Sequence, residues 1–578
     1  MDVFQECKTA AGFLAKNEDS NARNTLIRIL DYCERQTIPY TPVLNHLLRH
    51  AGLYPYLDPQ RALWQDQLVH ELFKVDVGGG QKKTLHIKQS ELLKALLDGK
   101  NIAVSAPTSF GKSFVIDAFI ALKNPSNIAL IVPTIALTDE TRRRLHKKFA
   151  RNYRIITTPD VELAQRNIFI FPQERALNYI EKIERIDILI VDEFYKASSD
   201  FDRERAPALI KTILELGKKA KQKYYLSPNI SSLVSSPFTK DMEFMRLDFN
   251  TVFTEIHELY KGANSIDDDF KEASLLKIIQ SDKKTKSLIY AGTFKNIDTI
   301  VEILSHNLEV QSNPTLEDFS DWLKIHYHPQ YILSDIVRKG TGVHNGRLHR
   351  SLSQIQIKLF EEHEGINNLV STSSIIEGVN TAAENVILWA NKSGGPGGPP
   401  LNDFTYKNII GRGGRMFRHF IGKIYLLEEP PAEENTQLSV EFTEDLLNSI
   451  DEKRFEDELT PAQIDRIIEY KQEMSNLVGG VAYEKLLENN LFQSCKADTI
   501  KKIARSLKYS PNDWKGLSYL NSNIPTHWEK SLYQALRFAG QMGDRHQKIV
   551  VFIKADFQKL GDDDSGNPVF VEISWHRY

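Results

Sequence analysis

Short apolar runs alternate with longer amphipathic segments over most of this 578-residue chain. The runs of a first stretch occupy residues 101–105, 127–132, 167–171, 187–191 and 223–227. After an irregular region, the runs of a second stretch occupy residues 287–292, 368–372, 385–390 and 423–428. Continuous apolar strands separated by helices are typical of a parallel sheet that is covered on both faces. The pattern therefore predicts two successive α/β domains.

The predicted organisation has four parts. A helical N-terminal extension covers residues 1–75 and ends close to the triple glycine at 78–80. Two parallel-sheet domains follow at 76–255 and 256–430, and a mainly helical accessory module covers 431–578. This division suits the length of the chain, because domains usually contain about 100–200 residues.

Composition narrows the class of protein. Apolar residues make up 41% of the chain and charged residues 26%, which excludes disordered, collagen-like and low-complexity chains. The net charge of −3 comes from 73 basic and 76 acidic residues. This balance excludes a basic coat for nucleic acid but is compatible with a local basic track. A basic run at 142–148 is either a solvated helix face or a contact for phosphodiesters.

Cysteines and long apolar runs are both scarce. Cys7, Cys33 and Cys495 are too few and too scattered for a disulfide framework or a zinc cluster, which indicates a reducing compartment. No stretch reaches the roughly 18 unbroken apolar residues of a membrane helix. Residues 1–20 also lack the apolar core of a signal peptide. We therefore expect a soluble, cytoplasmic protein without a membrane partner.

A phosphate-binding loop lies between the first predicted strand and a predicted helix. Backbone N–H groups of such a loop wrap nucleotide phosphates at a helix N-terminus. Lys112 would supply a positive charge to the β- and γ-phosphate oxygens, and the Ser113 hydroxyl would join the Mg²⁺ shell. The alternative interpretation is a chance Gly-Lys-Ser at a turn. The residues of the predicted site are Ala106, Pro107, Thr108, Ser109, Phe110, Gly111, Lys112 and Ser113.

Two carboxylates follow the apolar run at 187–191. The carboxyl ends of parallel strands meet at one edge of a sheet, so Asp192 and Glu193 would face the same phosphates. We predict that Asp192 binds Mg²⁺ through water and that Glu193 orients or deprotonates the attacking water. The alternative is that the pair only caps the next helix.

Further segments keep a fixed order around these residues. They are Gln89, seventeen residues before Ala106, and residues 132–140, 171–175, 226–229, 290–293, 342–348, 371–380 and 408–415. In order and approximate spacing, these segments resemble the motifs of superfamily 2 helicases, particularly the Ski2-like and DEAD-box-related branch. The resemblance covers roughly residues 85–430 and implies that the two α/β domains are tandem RecA-like domains.

The resemblance implies roles at an ATP site. The amide of Gln89 would read the adenine, because it offers one donor and one acceptor edge. Gly378 and Asn380 would approach the nucleotide. Arg412 and Arg415 would reach the γ-phosphate from the second domain as arginine fingers.

The resemblance also implies a nucleic-acid partner, namely single-stranded or tailed DNA or RNA that lies across both domains. Contacts of this kind go to phosphates and position the strand without reading its bases. The residues expected to line the track are Pro133, Thr134, Arg175, Thr293, His344, Thr372 and Ser373.

Two positions depart from the family pattern. A Ser-Pro-Asn sequence that ends at Asn229 stands where relatives have Ser-Ala-Thr, and Asn408 replaces the usual glutamine. The family resemblance implies a nucleic-acid-dependent ATPase that translocates 3′ to 5′ on a single strand, with unwinding or protein displacement as further outcomes. The alternative is an ATP-gated nucleic-acid-binding or regulatory subunit that controls a partner without processive unwinding.

The chain also resembles the helicase subunit of Hachiman-type antiphage systems, which work with a nuclease subunit. This resemblance implies a nuclease partner and a role in antiviral defence. A small-molecule kinase with a phosphate-binding loop is disfavoured, because it leaves the second α/β domain and its paired arginines unexplained.

Overall fold

The computed structural model describes the chain in segments and divides it into two compact units, Met1–Glu441 and Phe442–Tyr578. The described residues are 1–158, 160–262, 265–282, 284–375, 383–394, 398–488, 497–514, 524, 531–535 and 537.

The elements of the first unit are numbered in chain order. Its described helices are α1 (Val3–Ala15), α2 (Asp19–Arg35), α3 (Pro42–His50), α4 (Trp64–Leu72), α5 (Ile87–Leu97), α6 (Lys112–Lys123), α7 (Ile135–Phe149), α8 (Gln173–Leu177), α9 (Ala206–Lys219), α10 (Asp268–Ser281), α11 (Phe294–Asn307), α12 (Pro314–His326), α13 (Ile332–Arg338), α14 (Arg350–Glu361) and α15 (Asp403–Ile410). Its described strands are β1 (Lys74–Asp76), β2 (Lys82–Thr84), β3 (Ile102–Ser105), β4 (Asn127–Ile131), β5 (Arg154–Ile156), β6 (Asn167–Phe171), β7 (Ile186–Val191), β8 (Ala220–Ser227), β9 (Ser232–Leu233), β10 (Glu243–Arg246), β11 (Phe253–Glu258), β12 (Ser287–Tyr290), β13 (Thr341–His344), β14 (Asn368–Ser371), β15 (Asn385–Leu388), β16 (Ile421–Leu426) and β17 (Gln437–Leu438).

The first lobe is built on a parallel sheet. Within the described residues this sheet has seven strands in the order β10-β3-β8-β7-β4-β6-β5, and every pairing is parallel. Parallel neighbours need crossover connections, and the helices between the strands supply them. All four residues of β3 are buried, as expected for a strand that is covered on both faces.

The second lobe repeats this plan. Its described strands form a six-stranded parallel sheet in the order β11-β16-β15-β12-β14-β13. Residues 247–252 connect β10 of the first sheet to β11 of the second, and we call them the hinge segment. The prediction of two tandem parallel-sheet α/β domains is confirmed, while the three predicted domain boundaries stay proposals.

The N-terminal module, residues 1–72, is helical as predicted, whereas the last two residues of the predicted extension, 74–75, belong to β1. Capping residues begin two of its helices: Asp2 accepts hydrogen bonds from two backbone N–H groups of α1, and Thr41 accepts one at the start of α3. A buried carboxylate attaches α4 to α3, because fully buried Asp66 lies 2.6 Å from Nε of Arg49. One continuous hydrophobic core extends from this module into the first sheet, so the module shares the core of the first lobe.

The triple glycine at 78–80 makes a turn between two paired strands. β1 and β2 pair antiparallel, with Asp76 opposite Lys82, and the three glycines lie between them. All three have φ between +65° and +83°, a conformation that side chains disfavour. The glycines therefore belong to a hairpin of the first unit.

The chain returns to the first lobe after it completes the second sheet. β17 pairs in parallel with β9, with Gln437 opposite Ser232 and Leu438 opposite Leu233. The first compact unit accordingly extends beyond the second sheet and includes residues 437–438.

The second unit is mainly helical in its described part, as predicted. Its helices are α16 (Pro461–Val478), α17 (Gly480–Glu488) and α18 (Ala497–Tyr509). The hydroxyl of Tyr470 on α16 donates to the carbonyl of Ala497 at 2.9 Å and so joins two of these helices. Across the described part of the chain, none of the helices combines the length and apolar character that crossing a membrane requires.

Candidate functional site

Three loops of the predicted site leave neighbouring strands at one edge of the first sheet. β8 lies between β3 and β7. The phosphate loop, residues 106–113, follows β3, while Asp192 and Glu193 follow β7 and residues 228–229 follow β8. Because the strands are parallel, their carboxyl ends bring these loops together at the edge where open α/β sheets bind ligands.

Hydrogen bonds to carbonyl groups hold the phosphate loop. Nζ of Lys112 donates to the carbonyl of Ala106 at 3.1 Å, and Nε2 of Gln89 donates to the carbonyl of Phe110 at 2.8 Å. Oγ1 of Thr251, from the hinge segment, donates to the carbonyl of Ser109 at 3.1 Å. The loop then opens α6, whose first-turn N–H groups have no partner inside the helix. These residues fit a nucleotide phosphate, because the amides of this turn are the donors that bind anions.

Gly111 makes the sharp turn of the loop. Its φ is +80°, and a Cβ at this position would lie 2.7 Å from Nε2 of Gln89. Glycine is therefore the residue that fits both the backbone conformation and the space. Ser109 instead lies in the short turn Thr108–Phe110, outside the positive-φ positions, and carries its side chain without strain.

Gln89 has a structural use that the sequence did not indicate. Its side chain is buried, its Nε2 is engaged by Phe110, and its Oε1 accepts from the N–H of His86 at 3.2 Å. Both polar atoms of the amide thus bind backbone groups of the protein. The reading of adenine by Gln89 stays a prediction, and it requires these hydrogen bonds to be exchanged when a nucleotide binds.

Lys112 and the two carboxylates form one electrostatic group. Burial lowers the pKa of Lys112, and the charges of Glu193 and Asp192 oppose that shift. Burial raises the pKa of both carboxyls, the Asp192 charge raises that of Glu193 further, and Lys112 opposes both shifts. A carboxylate with a raised pKa is a stronger base, which suits the role predicted for Glu193. Glu193 also has φ +54°, a strained conformation that is frequent at functional sites.

The second lobe contacts the phosphate loop directly. Oγ1 of Thr108 donates to the carbonyl of Gly411 at 2.5 Å. The next residue, Arg412, is close enough to Glu193 for the carboxylate charge to oppose the lowering of the Arg412 pKa by burial. The Arg412 charge acts in turn on Lys112. The structure therefore brings the predicted lysine, acid pair and first arginine to one seam between the lobes.

Arg415 has different surroundings. Its N–H donates to the carbonyl of His419 at 3.0 Å in the turn that follows. Burial raises the pKa of Glu361 on α14, and the Arg415 charge is the main opposing influence. Arg412 thus acts on the acid pair, whereas Arg415 acts on a carboxylate of its own lobe. A contact between Arg415 and the γ-phosphate stays a prediction.

The two positions that depart from the family pattern bind each other. Nδ2 of Asn229 in the first lobe donates to Oδ1 of Asn408 in the second lobe at 2.8 Å. Asn229 has φ +48°, which asparagine tolerates better than most residues. Asn408 is buried, and its Nδ2 has no partner among the described residues. Each residue alone is unremarkable in the sequence, so this pairing is visible only in the structure.

The predicted track residues of the first lobe follow adjacent strands. Pro133 is buried after β4, and Thr134 begins α7 with its Oγ1 accepting from the N–H of Leu137 at 3.2 Å. Arg175 is half-buried in α8, which follows β6, the neighbour of β4. The sheet order therefore brings these segments to the same edge, and their contacts with a strand stay predictions.

The predicted track residues of the second lobe also converge. They follow β12, β14 and β13, which are adjacent. Nδ1 of His344 lies 3.0 Å from Oγ of Ser374, and the Thr372 hydroxyl lies 3.3 Å from the same atom. Burial lowers the pKa of His344 to about 4, so its ring is neutral at pH 7. Thr293 caps α11, and Ser373 is exposed beside this group.

Arg350 is a candidate residue that the sequence analysis missed. It lies at the start of α14 in the second lobe, and its Nη2 donates to the carbonyl of Ile135 at 2.8 Å and to Oδ2 of Asp139 at 2.5 Å. Both partners are on α7 of the first lobe. The contact joins the lobes beside Thr134. Motifs within one domain do not indicate which residues pair across the two lobes, so the sequence did not reveal this contact.

Two cations of the basic run at 142–148 are paired with a buried carboxylate. Asp117 on α6 is almost fully buried, and it pairs with Arg144 and, at 2.7 Å, with Nζ of Lys148. Arg144 also donates to the carbonyl of Ser113 at 3.3 Å. These two cations attach α7 to the helix that carries the phosphate loop, an explanation that neither interpretation of the run included.

The predicted metal ligands, Ser113 and Asp192, suit a cation that binds together with phosphates. Across the described residues, no group of three or more His, Cys, Asp and Glu side chains is placed to hold a metal alone. Mg²⁺ usually takes one or two carboxylates together with substrate phosphates and waters. Ser113 and Asp192 meet this requirement. Gly378 and Asn380, predicted at the nucleotide, and Cys495 lie outside the described residues.

Comparison with protein-family models identifies two regions of the chain. The model of the anti-bacteriophage protein B N-terminal domain matches residues 1–67, which nearly coincide with the N-terminal module. The model of the DEAD/DEAH box helicase matches residues 87–236, which include the phosphate loop and the acid pair.

Two curated relatives extend this similarity. Anti-bacteriophage protein B of Escherichia coli (strain K12) is 33% identical over 433 residues, which cover 72% of this chain and 57% of that protein. The ATP-dependent DNA helicase Hel308 of Thermoplasma volcanium is 22% identical over 374 residues, covering 61% of this chain and 54% of that protein. The chain spans about half the length of these curated relatives.

Proposed function

We propose that this chain, a superfamily 2 helicase-family protein with a DEAD/DEAH box helicase domain, is an ATPase stimulated by nucleic acid that moves along a single strand. The observation that carries the proposal is the hydrogen bond between Thr108 and Gly411. It joins the phosphate loop to the residue before Arg412. Groups from both lobes therefore surround one position, as a reaction controlled by lobe closure requires.

The residues divide the hydrolytic work between the lobes. Glu193 orients the attacking water and takes its proton while the bond from the γ-phosphorus to the bridging oxygen breaks. Lys112 and Arg412 stabilise the negative charge that develops on the phosphate oxygens. Arg412 acts only when the second lobe is in place, so hydrolysis depends on closure.

The Mg²⁺ ion would be held by the Ser113 hydroxyl and the Asp192 carboxylate together with phosphate oxygens. Bound there, the cation neutralises charge on the β- and γ-phosphates. The raised pKa of Asp192, caused by burial and opposed by Lys112, favours a cation beside this carboxyl.

Nucleic acid would couple to this cycle through the loops of both lobes. A strand that contacts residues after β4 and after β14 binds both lobes and favours closure. ATP then favours grip on the strand by the same coupling free energy. Opening after hydrolysis moves one lobe relative to the other along the strand.

Phosphate release by the purified protein tests the proposal. We expect single-stranded DNA or RNA to stimulate hydrolysis at least tenfold, and Lys112→Ala and Glu193→Gln to abolish the stimulated rate. Lys123→Ala is the matched control, because Lys123 ends the same helix and, among the described residues, donates to the carbonyl of Leu97 alone. Hydrolysis that no polymer stimulates, or that persists in Glu193→Gln, would contradict the proposal.

The proposal has two finer parts, the direction of movement and the unwinding of duplexes. We propose that the protein moves 3′ to 5′. Displacement of streptavidin from a biotin at the 5′ end of a single strand, but not at the 3′ end, is the expected result. Duplexes with a 3′ tail test strand separation in the same reaction. Displacement without strand separation would limit the activity to translocation.

The N-terminal module favours a second candidate function, which is control of a defence partner. Residues 1–67 match a domain named after an anti-bacteriophage protein. In this proposal the nucleotide state of the chain restrains or releases a nuclease subunit during antiphage defence. Co-purification of a nuclease with the tagged chain, and loss of phage protection in Lys112→Ala, would support it. Full protection by Glu193→Gln would separate this role from continuous hydrolysis.

A further inference from the structure

The N-terminal module holds the hinge segment at consecutive residues. Nε of Arg23 donates to Oδ1 of Asn250 at 3.0 Å, and the Arg23 guanidinium lies 4.5 Å from the centre of the Phe249 ring. The hydroxyl of Tyr56 donates to the carbonyl of Thr251 at 2.6 Å. The hinge segment, which must flex when the lobes move, is therefore packed against helices of the N-terminal module, outside both α/β lobes.

Tyr56 also contacts the second lobe. Its ring centre lies 5.1 Å from that of Phe417 and 5.3 Å from that of Phe420. Burial raises the pKa of the Tyr56 hydroxyl, and the nearby Phe417 backbone opposes this shift. The Tyr56 hydroxyl thus donates to the hinge segment, while its ring packs against the turn that follows Arg415. The side chain is only 5% exposed, so water does not replace the Thr251 carbonyl easily.

Thr251 extends this contact to the phosphate loop. Its carbonyl accepts from Tyr56, and its Oγ1 donates to the carbonyl of Ser109 at 3.1 Å. Thr251 is 1% exposed. A single hinge residue therefore connects the N-terminal module to the centre of the phosphate loop through two hydrogen bonds, one buried and one partly buried.

A second attachment joins the module to the second lobe. Nη2 of Arg35 on α2 lies 2.9 Å from Oε1 of Glu384, the residue before β15. The same carboxylate faces Lys423 of β16 at 3.7 Å. The module thus contacts the second lobe at the start of its strands as well as at the turn that Tyr56 touches.

We propose that the N-terminal module is a brace for the hinge, in which Tyr56 is a positioning residue that fixes the phosphate loop relative to the arginine segment, residues 408–415. The inference rests on the proposed ATPase function. Rotation of the lobes about the hinge segment separates Thr251 from Phe417, so the Tyr56 side chain cannot keep both its hydrogen bond to Thr251 and its ring packing on Phe417. Loss of the hydrogen bond would leave a buried hydroxyl unpaired, which is unfavourable, so the brace favours the arrangement in which both contacts are made.

Two pairs of variants test the brace, each with its own control. Tyr56→Phe removes the hydroxyl and keeps the ring, and Tyr54→Phe is its control. Tyr54 lies in the same turn, packs against Phe73 with ring centres 4.3 Å apart, and is similarly buried. Thr251→Val removes the donor to the phosphate loop, while Thr251→Ser keeps it.

We expect Tyr56→Phe to lower kcat in the presence of single-stranded DNA about fivefold, with the KM for ATP changed less than twofold. The split is expected because the arginine contact acts in the transition state. Thr251→Val should give a similar loss, and the double variant should lose no more than the larger single loss, since both act through one connection. Tyr54→Phe and Thr251→Ser should stay within twofold of the unchanged protein.

Equal kcat values for Tyr56→Phe and Tyr54→Phe would overturn the inference while the ATPase itself stands. Losses that multiply in the double variant would also overturn it. Hydrogen exchange provides a readout that needs no catalysis. Tyr56→Phe should speed exchange in residues 108–111 and 417–420, and Tyr54→Phe in neither. If the unchanged protein hydrolyses no ATP, the proposed function fails, and the exchange pattern alone decides whether the brace exists. In that case, a uniform increase in exchange across the first lobe would refute the brace.

Discussion

The hydrogen bond between Asn229 and Asn408 predicts an energetic coupling between the lobes. Its length of 2.8 Å and the burial of Asn408 identify a well-formed neutral hydrogen bond. Such a bond contributes about 1 kcal/mol net, which corresponds to a factor of about five in rate if it is made in the closed state. Asn229→Gly suits the test because φ +48° strains most other replacements, and Asn408→Ala removes the acceptor.

The assay is a double-mutant cycle on kcat/KM for ATP with saturating single-stranded DNA. We expect the loss in the double variant to be about fivefold smaller than the product of the two single losses. Asn307→Ala is the control in the second lobe, because Asn307 is exposed at the end of α11 and its side chain donates to the carbonyl of Ile303 in its own helix. Single losses that multiply within a factor of two would show that the pair does not couple the lobes and would refute the reasoning.

Three further predictions concern other contacts of the first lobe. Thr108→Val should lower stimulated kcat/KM about tenfold, because it removes a short hydrogen bond to the second lobe, whereas Thr108→Ser should retain activity. Asp117→Ala should lower the free energy of unfolding by about 3–5 kcal/mol in urea titrations, since it leaves two partly buried cations without their carboxylate. Burial lowers the pKa of His86 from 6.5 to about 3, so the unfolded chain binds the proton first and stability falls as pH decreases below 6.5. His86→Asn, which can still cap α5, should therefore reduce the stability lost between pH 7 and pH 5 by about 2 kcal/mol; an unchanged pH dependence would contradict this.

The interior of each sheet was predictable from the sequence, and the edges were not. Every interior strand that the structure describes coincides with an apolar run, because strands covered on both faces need apolar residues at successive positions. The strands missed in the seven-stranded and six-stranded sheets, β5, β10, β11 and β13, are the four edge strands of those two sheets. β10 and β11 contain exposed charged residues, as edges usually do. β13 is buried but consists of Thr-Gly-Val-His, which forms no apolar run.

The candidate site also has a part that the sequence predicted and a part that it did not. Local motifs located Lys112, Asp192 and Glu193, because strand ends in a parallel sheet bring their loops together. Contacts between distant segments were not predictable, since the pairing of Asn229 with Asn408 and the position of Tyr56 depend on how whole lobes pack. Pairings of this kind leave no periodicity or spacing in the sequence.

The strand pairing between Gln437 and Ser232 gives the two lobes a second connection, which restricts how they can move. The chain passes between the lobes twice, once outward through residues 247–252 and once back between β16 and β17. A body tethered at two separate points can swing about the line that joins them, but sliding and twisting would stretch one tether. We therefore expect the lobes to rotate mainly about one axis, so that each cycle of the proposed motor would repeat the same stroke.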